Sequence, residues 1–295
     1  MQKISKTSLK VAEVFPKCFK HKKEKALREN FANILPLIIQ QEQDYEVYAS
    51  NGNLDKFKYL TESDIKPYNL TADNMKYLYN SGLKHDGWEA RDYYEELVGV
   101  DAICPYCEVG PATTLDHVLE KSKSLGTTVT PINLVPSCSF CNTHKNVKKD
   151  IVLWHPYYDN PVDFRWLYAE YLGIKNKKQR INYYVQIPSE HVGEKNAELI
   201  ESSFDAFYIN TSYKAYAITT FKDIQLTMLE QVRKGKTEAK KRTLVHDALY
   251  NRYISCKHAN QNSFSTALYE CLLDSDIYYQ ELVDIVSKDP KPINN

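Results

Sequence analysis

Two Cys-x-x-Cys pairs, Cys104-Pro105-Tyr106-Cys107 and Cys138-Ser139-Phe140-Cys141, stand thirty residues apart and constrain this chain more than any other feature of its sequence. Zinc takes four soft ligands at the corners of a tetrahedron, and each such pair presents two thiolates from one tight turn without strain. The pattern therefore reads as one structural zinc bound by Cys104, Cys107, Cys138 and Cys141. A site of this kind supplies roughly 10–16 kcal/mol of apparent folding free energy in small peptides. That is enough to hold a segment with little core of its own. The other three cysteines, Cys18, Cys256 and Cys271, are scattered and read as small buried hydrophobes. Seven cysteines in a chain expected to be cytoplasmic argue against a disulfide framework.

A zinc staple needs nothing beyond its ligands, yet the enclosed segment is rich in chemistry-bearing residues. It reads Thr113-Thr114-Leu115-Asp116-His117-Val118-Leu119-Glu120-Lys121-Ser122, then Pro131-Ile132-Asn133-Leu134-Val135-Pro136-Ser137, with Asn142 directly after the last cysteine and Lys145 three residues on. A histidine base and a metal can divide the work of phosphodiester hydrolysis between them. One generates the nucleophile at neutral pH, and the other stabilises charge on the phosphoryl oxygens. Adjacent Asp116 and His117 would point to opposite faces of a regular strand, so sequence alone does not bring them to one site.

The order Cys-x-x-Cys, Asp-His, Asn-Leu-Val-Pro-x-Cys-x-x-Cys-Asn-x-x-Lys resembles the zinc-bearing HNH (ββα-metal, His-Me finger) endonucleases over about 42 residues. The resemblance implies that His117 is the general base. It implies that Asp116 and Asn142 hold one catalytic divalent cation, and that Asn133 fixes the hairpin loop so that His117 is aimed correctly. Asn142 stands where histidine is more usual in the motif. Its harder amide oxygen favours magnesium or manganese. Lys145 and Lys148 are candidate phosphate contacts, and His144 and His155 are further candidate ligands. By the same analogy the chain is similar to nuclease subunits of bacterial restriction and anti-phage systems, some of which work with an ATPase partner.

Net charge is zero, with 38 basic and 38 acidic residues, which is not the signature of a protein held on a polyanion by charge alone. Basic residues are concentrated at the start (Lys3, Lys6, Lys10, Lys17, Lys20, Lys22, Lys23, Lys25, Arg28), at 175–180 and at 233–242. Such runs are most often solvated helix faces. Modest affinity for free DNA follows, together with dependence on a protein partner or a homo-oligomer for targeting. No apolar stretch approaches membrane-spanning length and no apolar segment follows the charged start, so a cytoplasmic protein with no membrane association is expected.

Apolar periodicity predicts helices over 24–48 (despite Pro36), from an N-cap at Thr71 to Ser81-Gly82, and over 88–98. Further helices are predicted over 197–206, 214–233, 239–253 and 263–273, with one strand near 181–187. The expected fold is α+β: a small zinc-stapled ββα-metal core at 101–155, embedded between a mostly helical N-terminal region (1–100) and a mostly helical C-terminal region (156–295). The expected function is metal-dependent hydrolysis of DNA phosphodiesters. The competing readings are a non-catalytic zinc-stapled module that binds nucleic acid or protein, and an RNA-cleaving toxin.

Overall fold

A computed structural model describes residues 1–145, 153–176 and 178–289. The fold is α+β and divides into two compact units, Met1–Pro161 and Val162–Asn295. Among the described residues no helix is long and apolar enough to cross a membrane.

In the first unit, α1 (Val11–Phe19) and α2 (Lys25–Ser50) open the chain, followed by α3 (Glu62–Ile65), α4 (Ala72–Tyr77) and α5 (Ala90–Val98). Helix α1 buries Val11, Val14, Phe15 and Cys18, one stripe at helical spacing. Along α2 the buried positions run from Phe31, Ile34 and Ile38 to Tyr45 and Ala49. Pro36 is exposed, as is Ala32, so water can satisfy the Ala32 carbonyl that proline leaves without its helical donor. The buried Glu42 carboxylate accepts the Val11 N–H at 2.9 Å and so satisfies an orphan donor at the start of α1. Thr71 caps α4 in a reciprocal capping box with Asn74. Beyond α4 the backbone widens into a π-helical turn, Leu78–Leu83. There Gly82 lies so close to α1 that an added Cβ would come within 2.3 Å of the Cys18 carbonyl oxygen.

The zinc-knuckle segment completes this unit. Strand β1 (Thr114–His117) pairs antiparallel with β2 (Leu134–Ser137), Thr114 opposite Ser137 and His117 opposite Leu134, and α6 (Ser139–His144) follows directly. This is the ββα arrangement. Leu115, Leu125, Val129 and Leu134 belong to the same buried cluster as α1, α2, α4 and α5, so the N-terminal helices and the ββα segment share one core.

The second unit opens with a hairpin, β3 (Leu167–Lys175) and β4 (Lys178–Val185), whose register shifts between Tyr171 and Ile174 around Gly173 at φ +72°. Five helices follow: α7 (Lys195–Ala206), α8 (Ile209–Lys234), α9 (Glu238–Ala259), α10 (Phe264–Leu273) and α11 (Asp276–Lys288). Thr237, Ser263 and Ser275 cap α9, α10 and α11 through their hydroxyls. Tyr183 packs against Tyr213 and Phe264, and Tyr171 against Tyr278 and Phe221, which fastens the hairpin to the helices.

Several residues of the first and third basic clusters are in ion pairs. Lys17 and Lys20 both pair with Glu89, holding its carboxyl down to about 2, Lys6 pairs with Glu46, Arg233 with Glu230 and Arg242 with Asp276.

Candidate active site

The four knuckle cysteines are buried, and their sulfurs all lie within 4.8 Å of one another. A tetrahedron with zinc–sulfur bonds of ≈ 2.3 Å has a sulfur–sulfur edge of about 3.8 Å. Cys107 Sγ and Cys138 Sγ are 3.8 Å apart, a fit to that edge and far beyond a disulfide bond. Backbone N–H groups point at the sulfurs, Gly110 N to Cys107 at 3.5 Å and Cys141 N to Cys138 at 3.3 Å, which favours thiolates. The Cys138 contact also caps α6, so one residue both offers a zinc ligand and starts the helix that carries Asn142.

The knuckle reaches into the neighbouring site through Tyr106, whose buried hydroxyl donates to Asp116 Oδ2 at 3.0 Å. Asp116, at 3% exposure, also receives the Lys145 ammonium at 2.8 and 3.1 Å. The same ammonium donates to the His117 carbonyl at 2.7 Å. Lys145, expected to meet phosphate, thus sits where a cation bound to Asp116 would sit. Lys148, the other candidate phosphate contact, lies outside the described residues.

His117 Nε2 is 2.8 Å from the Thr128 carbonyl oxygen. A carbonyl only accepts, so Nε2 carries the hydrogen and Nδ1 keeps its lone pair. Burial drives the imidazole down to about 3, so it is neutral at pH 7. The Tyr79 ring meets it edge-on at 4.4 Å, and the Tyr79 hydroxyl is tied to the Leu115 carbonyl at 3.0 Å.

Asn142 donates its amide N–H groups to Thr114 Oγ1 at 3.0 Å and the Leu115 carbonyl at 3.2 Å, which turns its amide oxygen the other way. Asp116, His117, Asn142 and Lys145 all line one open cleft of ≈ 390 Å³, together with Tyr79, Lys84, Glu120 and Lys121. The adjacent Asp116 and His117 therefore reach one cavity from the end of β1, although their bonding partners differ. A carboxylate and an amide carbonyl are hard oxygen donors of the kind magnesium and manganese take. The donor set fits such an ion, provided that Lys145 gives way.

Asn133 does not line the cleft. Wholly buried, it accepts from Leu119 N at 2.8 Å and Tyr45 Oη at 3.2 Å, and donates to the Leu119 and Thr127 carbonyls, both at 3.1 Å. It clamps the loop between β1 and β2 through Leu119 and Thr127. His155 belongs to this clamp. Its Nδ1 accepts the Tyr157 N–H at 3.3 Å, which leaves Nε2 to meet the Tyr45 hydroxyl at 2.9 Å. His144 stacks on Phe140 and bonds the Phe140 carbonyl at 3.0 Å. Neither is among the residues lining the cleft.

Residues 104–148 match the family model of the HNH endonucleases. This segment is an HNH endonuclease module. Over 297 residues, 95% of this chain and 99% of the relative, the chain is 26% identical to protein ea31 of Escherichia phage lambda, whose name states no activity. That similarity takes in the helical regions as well as the HNH module. No solved structure matches the chain.

Tyr45, Tyr79, Lys84, Tyr106 and Lys121 escaped sequence reasoning. Four of them carry no motif of their own, and Tyr106 was in plain view between two zinc ligands without any sign that its hydroxyl faces Asp116.

Proposed function

We propose that the protein is a metal-dependent endonuclease that hydrolyses DNA phosphodiester bonds, with His117 as general base and Asp116 and Asn142 as ligands of one divalent cation. The observation that carries the reading is the His117 imidazole, neutral and fixed in one tautomer, in the same cleft as the hard oxygen donors. Zinc at the four cysteines is taken as structural, since the four sulfurs leave no open coordination position for water. A divalent cation at Asp116 and Asn142 would stabilise negative charge on the phosphoryl oxygens.

His117 Nδ1 accepts a proton from the attacking water as its oxygen bonds to phosphorus and the phosphorus–oxygen bond to the departing strand breaks. The imidazolium so formed keeps its Nε2–H on the Thr128 carbonyl. An anionic phosphodiester entering the cleft favours the charged form, offsetting the effect of burial. Tyr106 holds the Asp116 carboxylate in orientation, and Asn133 holds the loop from which Thr128 reaches His117.

The neutral overall charge supports targeting through a partner protein or self-association, and a role in bacterial restriction or phage defence rests on family analogy alone. The Asp116–Lys145 ion pair is the one feature favouring a non-catalytic nucleic-acid-binding module. Incubating the protein with plasmid, single-stranded DNA and tRNA, in magnesium, manganese or EDTA, separates the readings. Metal-dependent DNA cutting is expected. Cutting of tRNA alone would make it a ribonuclease, and no cutting by zinc-loaded protein would contradict the proposal.

A further inference from the structure

Lys84 follows the π-helical turn at Leu78–Leu83, and Lys121 follows β1, four residues after His117. Distant in sequence, they meet at one tyrosine. Lys121 Nζ lies 4.7 Å and Lys84 Nζ 5.7 Å from the centre of the Tyr79 ring, the ring that also packs on His117. Lys121 Nζ is aimed by a 2.6 Å hydrogen bond to Asn80 Oδ1, from the same turn as Tyr79. Glu120 also lines the cleft, but it is paired with Lys123, and the cleft's other carboxylate, Asp116, is paired with Lys145. Among the described residues neither Lys84 nor Lys121 is in an ion pair. Burial, reinforced by Lys84 and Lys76, pushes the Lys121 ammonium below its ordinary range, as expected of like charges gathered without a counter-ion. An anion between them relieves that repulsion.

We propose that Lys84 and Lys121, braced by Tyr79 and Asn80, seat a backbone phosphate of the nucleic-acid strand next to the one positioned at His117. This rests on the nuclease reading and adds a substrate contact in which Lys84, Tyr79 and Asn80, from outside the HNH module, join Lys121 of that module. Two compact ammonium groups at an open cleft grip charge without reading bases, so the seat tracks a strand and sets its path across His117.

The test uses full-length protein carrying His117→Ala, so that cutting does not interfere. Binding to a labelled DNA strand, and to its duplex, is measured by anisotropy between about 50 and 200 mM salt. Losing the contact to one backbone phosphate lowers the slope of log K against log salt by about 0.7 on a single strand and about 0.9 on a duplex. That fall is expected for Lys84→Gln/Lys121→Gln, with zinc content and thermal midpoint retained. It is not expected for the exposed pair Lys214→Gln/Lys222→Gln on α8. Lys84→Arg/Lys121→Arg, which keeps the charge, should restore the slope. An unchanged slope in the first pair, an equal fall in the control pair, or no restoration by arginine would overturn the seat while leaving the nuclease reading standing. Failure of the parent protein to bind either DNA at low salt would overturn both.

Discussion

Asp116 is buried against the Lys145 ammonium, and that pairing sets what substitutions around it do. Removing one partner of a buried ion pair costs about 3–5 kcal/mol, because the other charge is left uncompensated. Lys145→Met should therefore lower stability in buffer that holds zinc but no other divalent cation, and manganese should give much of it back. The expected result is a larger manganese-induced rise in thermal midpoint for Lys145→Met than for wild type. An equal rise would mean that lysine and metal do not share the carboxylate. A second residue-scale expectation concerns pH. His117 and His155 are both lowered by burial to about 3, so the folded protein keeps them neutral while the unfolded chain protonates them below about 6.5. Their contribution is fully present above pH 6.5 and lost as pH falls toward 3. With zinc in excess, the thermal midpoint should drop between pH 6.5 and 5, and His155→Gln should be less stable but show a shallower drop. The identities of Asp116, His117 and Asn142 were legible from the motif. The ammonium on Asp116 was not, because Lys145 reads in sequence like any solvated lysine at a helix end.

At the scale of elements, the Asn133 side chain ties the start of the loop between β1 and β2 to its later part. Asn133→Ala leaves the Leu119 N–H and the Tyr45 hydroxyl without their acceptor, at about 1–3 kcal/mol for each buried group. The expected outcome is a loop opened to limited proteolysis between 118 and 133 and a large loss of cutting, with zinc content unchanged. Gly82→Ala forces α1 and the π-helical turn apart, costing about 1–3 kcal/mol and displacing the Tyr79 side of the cleft. Helix α2, through its long apolar stripe, and α10, through its stripe and the Ser263 cap, were readable within a few residues, and α4 was readable at its Thr71 cap but not at its end. Strand β3 was not, because its buried face is completed by partners fifty or more residues away, such as Phe221 and Tyr278 against Tyr171. Nor was the π-helical turn, since a widened turn leaves no period of its own in the sequence. Helix α1 was hidden by the same lysines that made the start of the chain look like a charged surface.

On the scale of the whole molecule, Cys104 marks where a zinc staple begins, not where a core ends. Leu115, Leu125, Val129 and Leu134 pack in one cluster with Phe15, Phe31 and Leu78. Zinc removal should therefore destabilise Met1–Pro161 as a unit, whereas Val162–Asn295 has its own aromatic core. Calorimetry of wild type and Cys138→Ser is expected to show one transition lowered or lost and a second left in place. Loss of both together would indicate that the units fold as one. The measurement that bears most directly on the account is plasmid cleavage by wild-type and His117→Ala protein of equal zinc content, in manganese and in EDTA. The account predicts cutting by wild type in manganese alone and a loss of at least about 100-fold in the variant, the scale of a general base. Equal cutting by His117→Ala would contradict it.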